Sequence, residues 1–112
     1  MSSSPETVLQ EADRLINGDR QEGYGHPLDD MTCTGRGWGA LVESWFDAHG
    51  QPDFRCPDIP AELVALMMDF VKASRESRHH KRDNCVDGPG YWGCVDLIVS
   101  ERQRRSTEEG SN

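Results

Sequence analysis

No stretch of this chain alternates apolar and polar residues with the period of two that a half-buried strand requires, and no apolar run approaches the roughly 20 residues that span a bilayer. Strand-rich folds and membrane helices are therefore not expected. Signature loops are missing as well. There is no G-x-x-x-x-G-K-[ST] or G-x-G-x-x-G phosphate loop and no G-x-S-x-G elbow, and the run Gly35-Arg36-Gly37-Trp38-Gly39 lacks the strand–turn–helix setting that would make it one. The four cysteines, Cys33, Cys56, Cys85 and Cys94, include no Cys-x-x-Cys pair and read as core or surface thiols. His79 and His80 are adjacent, so their rings do not easily share one ion, and they read as part of a solvated basic connection.

Cationic charge is also scarce. Twelve Lys and Arg stand against 20 Asp and Glu, a net charge of −8, with an isoelectric point near 4.8. This excludes broad binding to DNA, RNA or an acidic membrane surface, but not a small anion held by a local basic cluster. The start, MSSSPETVLQ, lacks the basic and apolar regions of a signal peptide, so the expected compartment is the cytoplasm, with reduced thiols. Hydrophobic residues make up only 35% of 112, and the mean hydropathy is −0.74. One domain of this size buries roughly 65% of its unfolded surface. Either part of the chain is loose or a second copy completes the core.

What is present is helical periodicity. The pattern predicts a compact all-α bundle of about four helices over residues 5–105, between a disordered start (1–4) and a disordered tail (106–112). Helix 1 runs from about Pro5 to Asn17, with Ser3 and Glu6 as a capping box and Asn17-Gly18 as its stop. Residues 18–30 form a loop in which Tyr24 and His26 stand out, and Asp29 or Asp30 caps the next helix. Helix 2 spans Met31 to His49, or begins only near Arg36 or Trp38 because of its glycines, with Gly50 as its stop. Helix 3 runs from Pro60 to Arg78. Its buried face is Leu63, Leu66, Met67, Phe70, Val71 and Ser74, with Lys72 opposite and Arg75 on a flank. Helix 4 runs from Asn84 to Arg105, with Asn84 and Asp87 resembling a capping box, or settles only at Tyr91 because of Pro89. The apolar faces of helices 2 and 3 exceed what helices 1 and 4 can cover, which predicts a homodimer.

The most informative stretch is residues 61–99. On helix 4, Asp87, Tyr91, Cys94 and Ile98 are spaced four, three and four apart and share one stripe, with Asp83 a turn upstream. A carboxylate on a core-facing stripe loses solvation, and a hydrogen bond, a cation or a metal must offset that loss. Asp83 and Asp87 are close enough for one Mg²⁺, with a third oxygen from Asp69, Glu62, Glu11 or Asp13. The competing role for Asp87 is an N-terminal helix residue stabilised by free N–H groups. Lys72 and Arg75, one turn apart, are spaced either to hold phosphate oxygens or to stand as solvated charges on the helix surface, and Tyr24 and His26 either to contact a base or to serve only as loop residues.

The segments LQEADRLINGDRQEGYGHPLDD and PAELVALMMDFVKASRESRHHKRDNCVDGPGYWGCVDLI, separated by a Trp-bearing helix, resemble a family of short phage and prophage proteins of unassigned function. The pattern is Y-G-H-P (Tyr24 to Pro27), a tryptophan (Trp38 or Trp45), K-x-x-R (Lys72, Arg75) and D-x-x-x-D-x-x-G-Y (Asp83, Asp87, Gly90, Tyr91). More distantly, the layout is similar to phage nucleotide-modification-associated domains and all-α MazG-like nucleoside triphosphate pyrophosphatases. In those enzymes helical carboxylates bind Mg²⁺, which activates water. Their E-E-x-x-E helix is missing here, and helix 1 offers only Glu11 and Asp13. The resemblance implies a phage-type nucleotide-handling protein of the host-cell cytoplasm. It would bind a (deoxy)nucleotide phosphate through Tyr24, His26, Lys72, Arg75 and Tyr91, with Mg²⁺ at Asp83 and Asp87 and Mg-dependent pyrophosphohydrolysis as the candidate reaction. The alternative is a non-catalytic phage accessory protein that binds a host protein.

Overall fold

The computed structural model describes residues 4–110. All regular structure among them is helical: α1 (Val8–Arg14), a π-helical turn (Leu15–Asp19), α2 (Arg20–Tyr24), α3 (Pro27–Ala48), α4 (Ala61–Arg78) and α5 (Arg82–Gly110). The first three run on without a break, so the described residues form four rods, and the all-α expectation holds.

The boundaries differ from those predicted, for identifiable reasons. Helix α1 is capped by Thr7, whose hydroxyl accepts from the Gln10 N–H at 3.1 Å while the Gln10 side chain accepts from the Thr7 N–H at 2.9 Å. The expected cap residue Ser3 lies outside the described residues. Asn17-Gly18 does not stop the helix but widens it into the π turn, where the Arg20 N–H reaches back to the Leu15 carbonyl. The stop is Gly25, at a φ of +80° that favours glycine. Helix α3 then starts four residues earlier than expected, with Pro27 at its first position and His26 as its cap.

Glycines 35, 37 and 39 do not delay α3. Each lowers helix propensity by about 1 kcal/mol, but two of them are required by contact with the 57–59 segment. The Ile59 N–H donates to the Gly35 carbonyl at 3.1 Å. A Cβ at position 35 would lie 1.9 Å from the Ile59 carbonyl oxygen, and one at 39 would lie 2.7 Å from that of Pro57.

Helix α5 includes Pro89 at an exposed position and continues five residues past the predicted end to Gly110. The interior proline costs about 3 kcal/mol, which the packing of α5 against α1, α3 and α4 offsets. The far end is tied down. Arg102 pairs with Glu62 of α4 through both carboxylate oxygens, and Arg105 forks onto Asp29 of α3 at 2.8 and 2.9 Å. These pairs hold α5 against α4 and α3 as far as Arg105, and the helix runs on to Gly110; residues 111–112 lie outside the described residues.

The core is Leu28, Met31, Ala61, Val64, Ala65, Cys94 and Ile98, edged by Ile16, Trp38, Ile59, Tyr91 and Val95. The Tyr91, Cys94, Ile98 stripe of α5 therefore packs as expected. The face of α4 does not. Ala61, Val64 and Ala65 are buried, whereas Leu63 and Met67 are well exposed and Phe70 is 72% exposed. The small alanines let α4 close on α5, and this rotates the larger side chains outward. The molecule measures 65 × 50 × 19 Å, about two helices thick. So thin a layer also leaves Leu41 and Trp45 of α3 largely in solvent.

Candidate functional site

The rotation of α4 also turns Lys72 inward, contrary to the expectation that it faces away. Its ammonium lies 2.7 Å from Asp87 Oδ2 of α5, with the lysine side chain only 15% exposed and the aspartate 36%. The continuous helix keeps Asp87 on the Tyr91–Cys94–Ile98 stripe, and the cost of removing its carboxylate from water is met by a cation. Asp87 is not a cap, since α5 begins at Arg82. Nor is Asn84, which is buried and instead reaches across to α4, donating from Nδ2 to Glu76 Oε1 at 3.1 Å.

Where the end of α4, the turn and the start of α5 meet, Lys72, Arg75, Arg78, His79, Lys81, Asp83 and Asn84 line a hollow of about 460 Å³. A volume of several hundred Å³ suits a small ligand. On the other side of Lys72 and Asn84 lies a second hollow of about 480 Å³, lined also by Asp69, Glu76, Cys85, Pro89 and Trp92. The connection between the helices is braced by Glu76. Its Oε1 accepts from the Lys81 N–H at 3.0 Å as well as from Asn84, and its Oε2 lies 2.6 Å from His80 Nδ1. The Lys81 N–H, followed by His80 and Asn84, holds the Glu76 carboxyl down at about 2.

Of the sequence-predicted residues, Lys72, Arg75 and Asp83 come together at the basic hollow. Tyr91 does not. It lines a smaller cavity of about 110 Å³ between α1 and α5, together with Arg20, Asp87 and Cys94. Burial pushes both the Tyr91 phenol and the Cys94 thiol up, so both stay protonated near neutrality and neither serves as a base or nucleophile there. Tyr24 is exposed at the end of α2 with the Arg20 guanidinium 5.4 Å from its ring centroid. His26 Nδ1 accepts from the Leu28 N–H at 3.0 Å, capping α3. Neither Tyr24 nor His26 lines the basic hollow. Arg78 and Lys81, which do, read in sequence as part of a solvated basic stretch; only the fold shows that they converge.

The residues do not make a ready cradle for a resident Mg²⁺. Asp87 is engaged by Lys72. The third oxygens suggested by the sequence are also engaged: Glu11 by Arg82, Glu62 by Arg102, Asp13 by Asn17 Nδ2 at 2.8 Å, and Asp69 by Trp92 Nε1 at 2.9 Å. Asp83 stands on the hollow's rim without a second carboxylate from this set free to join it.

Residues 7–99 match the family described as Domain of unknown function (DUF6378). Among curated proteins, the Gene 55 protein of Mycobacterium phage D29 is 32% identical over 96 residues, which is 86% of this chain and 56% of that protein. The chain thus spans a little over half the length of that relative. No solved structure matches.

Proposed function

The chain belongs to the DUF6378 family, and we propose that it is a phage-type protein that binds the phosphate groups of a nucleotide in the basic hollow between α4 and α5. One observation carries this reading. Five Lys and Arg side chains, Arg20, Arg55, Arg75, Arg78 and Lys81, make no carboxylate bridge among the described residues, and three of these five line this single hollow. In a chain of net charge −8, unpaired cations gathered at one place favour an anion. Arg75 and Arg78 also complement the negative end of α4, a contribution of about 0.3–1 kcal/mol each. That does not account for Lys81. It lies just before the positive end of α5, where a cation is disfavoured unless an anion joins it.

The ligand's phosphate oxygens accept from the Arg75 and Arg78 guanidinia and the Lys81 ammonium. Lys72 remains paired with Asp87 and positions the wall. Mg²⁺ enters as the ion a nucleotide carries, with Asp83 as the carboxylate on that rim. The reading is of binding in the host-cell cytoplasm; hydrolysis has no carboxylate set to support it.

A panel of nucleotides with Mg²⁺, followed by calorimetry, thermal shift and pyrophosphate release, tests the proposal. Binding should weaken as salt rises. Arg75→Ala and Arg78→Ala should each weaken it about tenfold or more, as expected for a lost charge-assisted hydrogen bond of about 1.5–3 kcal/mol. No binding by any nucleotide at millimolar concentration would sink it. Pyrophosphate release that disappears in Asp87→Asn would instead support the MazG-like pyrophosphohydrolase reading.

A second reading has its own observation. Leu63, Met67 and Phe70 form an exposed stripe on α4, and Leu41 and Trp45 one on α3. We propose that a second copy of the chain covers the α4 stripe. Sedimentation should show a dimer that Phe70→Glu dissociates. A monomer at high micromolar concentration removes the dimer and leaves the stripe to a host protein.

A further inference from the structure

We propose that Glu76, His80 and Cys85 bind one divalent transition-metal ion of the zinc class. One ligand atom from each, a carboxylate oxygen, an imidazole nitrogen and the thiol sulfur, lies within 4.8 Å of the other two. The three come from different elements: the last turns of α4, the turn that follows, and the first turn of α5. No sequence motif marks them, because their spacing is four and then five residues across a break between helices. The donor set decides the class of ion. Sulfur and imidazole nitrogen suit Zn²⁺ and its neighbours, whereas Mg²⁺ and Ca²⁺ prefer oxygen alone.

The site is partly preorganised. Glu76 Oε1 is held by the Lys81 N–H at 3.0 Å and Asn84 Nδ2 at 3.1 Å, which fixes the carboxylate and leaves Oε2 facing His80 Nδ1. Such outer hydrogen bonds orient a metal ligand. On binding, the ion replaces the proton between Oε2 and Nδ1, and the neutral imidazole carries its proton on Nε2. The Cys85 thiol loses its proton to solvent. One carboxylate and one thiolate then balance a doubly charged ion. Three protein ligands leave a fourth position for water, beside the hollow of about 480 Å³ that Glu76 and Cys85 both line. None of the three ligands belongs to the lining of the basic hollow, so this site stands independently of the nucleotide reading.

Cobalt(II) titration of the reduced, full-length chain without chelator tests the site. Binding at one equivalent should produce sulfur-to-cobalt charge-transfer absorption in the near ultraviolet and tetrahedral d–d bands in the visible, and Zn²⁺ should bleach both. Cys85→Ser should abolish the near-ultraviolet band. His80→Ala, at an exposed position that the fold tolerates, should weaken binding at least tenfold, whereas Cys33→Ser and Arg75→Ala should leave it unchanged. Absence of the band at one equivalent overturns the proposal, as does a band that survives in Cys85→Ser.

Discussion

Asp87→Asn removes one charge from a pair whose other member cannot easily turn to water. The Lys72 ammonium is 2.7 Å from the carboxylate, and its side chain is 15% exposed. At an effective dielectric of about 20 the gross attraction at that distance is about 6 kcal/mol. Most of it is offset by the cost of desolvating both groups. Solvent at the aspartate, which is 36% exposed, screens it further. The net loss on substitution should be about 1–3 kcal/mol, larger than a surface pair and smaller than a sealed one. Urea unfolding followed by tryptophan fluorescence, at fixed protein concentration, measures it. Lys72→Met should cost a similar amount by leaving the carboxylate unpaired. The double variant should lose less than the sum, with a coupling of about 1–3 kcal/mol. A cost below about 0.5 kcal/mol for Asp87→Asn, together with additive behaviour in the double variant, would refute the claim that this pair offsets the carboxylate's place on the core stripe.

Two glycines in the same helix should respond with opposite signs. Gly35→Ala places a methyl 1.9 Å from the Ile59 backbone oxygen, so overpacking and disturbance of the Ile59–Gly35 hydrogen bond outweigh the gain in helix propensity, for a net loss of about 1–3 kcal/mol. Gly37→Ala meets open space and should stabilise by about 0.5–1 kcal/mol; thermal melts of the pair check both. Acid sensitivity follows from Glu76 and Glu101, whose carboxyls are held down from 4.5 to about 2, Glu76 chiefly by the Lys81 N–H and Glu101 chiefly by Arg104 and Arg105. A depressed carboxyl stabilises the fold above its unfolded value and loses that contribution as pH falls. Stability should therefore decline between about 4.5 and about 2, and Glu76→Gln should flatten part of that decline in urea titrations across the range.

The helical class, the extent of α4 and the inward stripe of α5 were all legible in sequence, because 3.6-residue periodicity is a local property of the chain. So was the demand that Asp87 find a partner, since desolvation of a charge follows from its position on the stripe. Tertiary structure decided the rest. Which face of α4 is buried depended on Ala61 and Ala65 permitting close approach, whereas a reading of apolar size favours Leu63, Met67 and Phe70. Whether Gly35 and Gly39 break α3 or accommodate a neighbour depended on the 57–59 segment crossing it. The convergence of Arg75, Arg78 and Lys81 around one hollow, and of Glu76, His80 and Cys85 around one point, arises only when the chain reverses between α4 and α5, because that reversal brings together side chains whose separation in sequence carries no periodic signal.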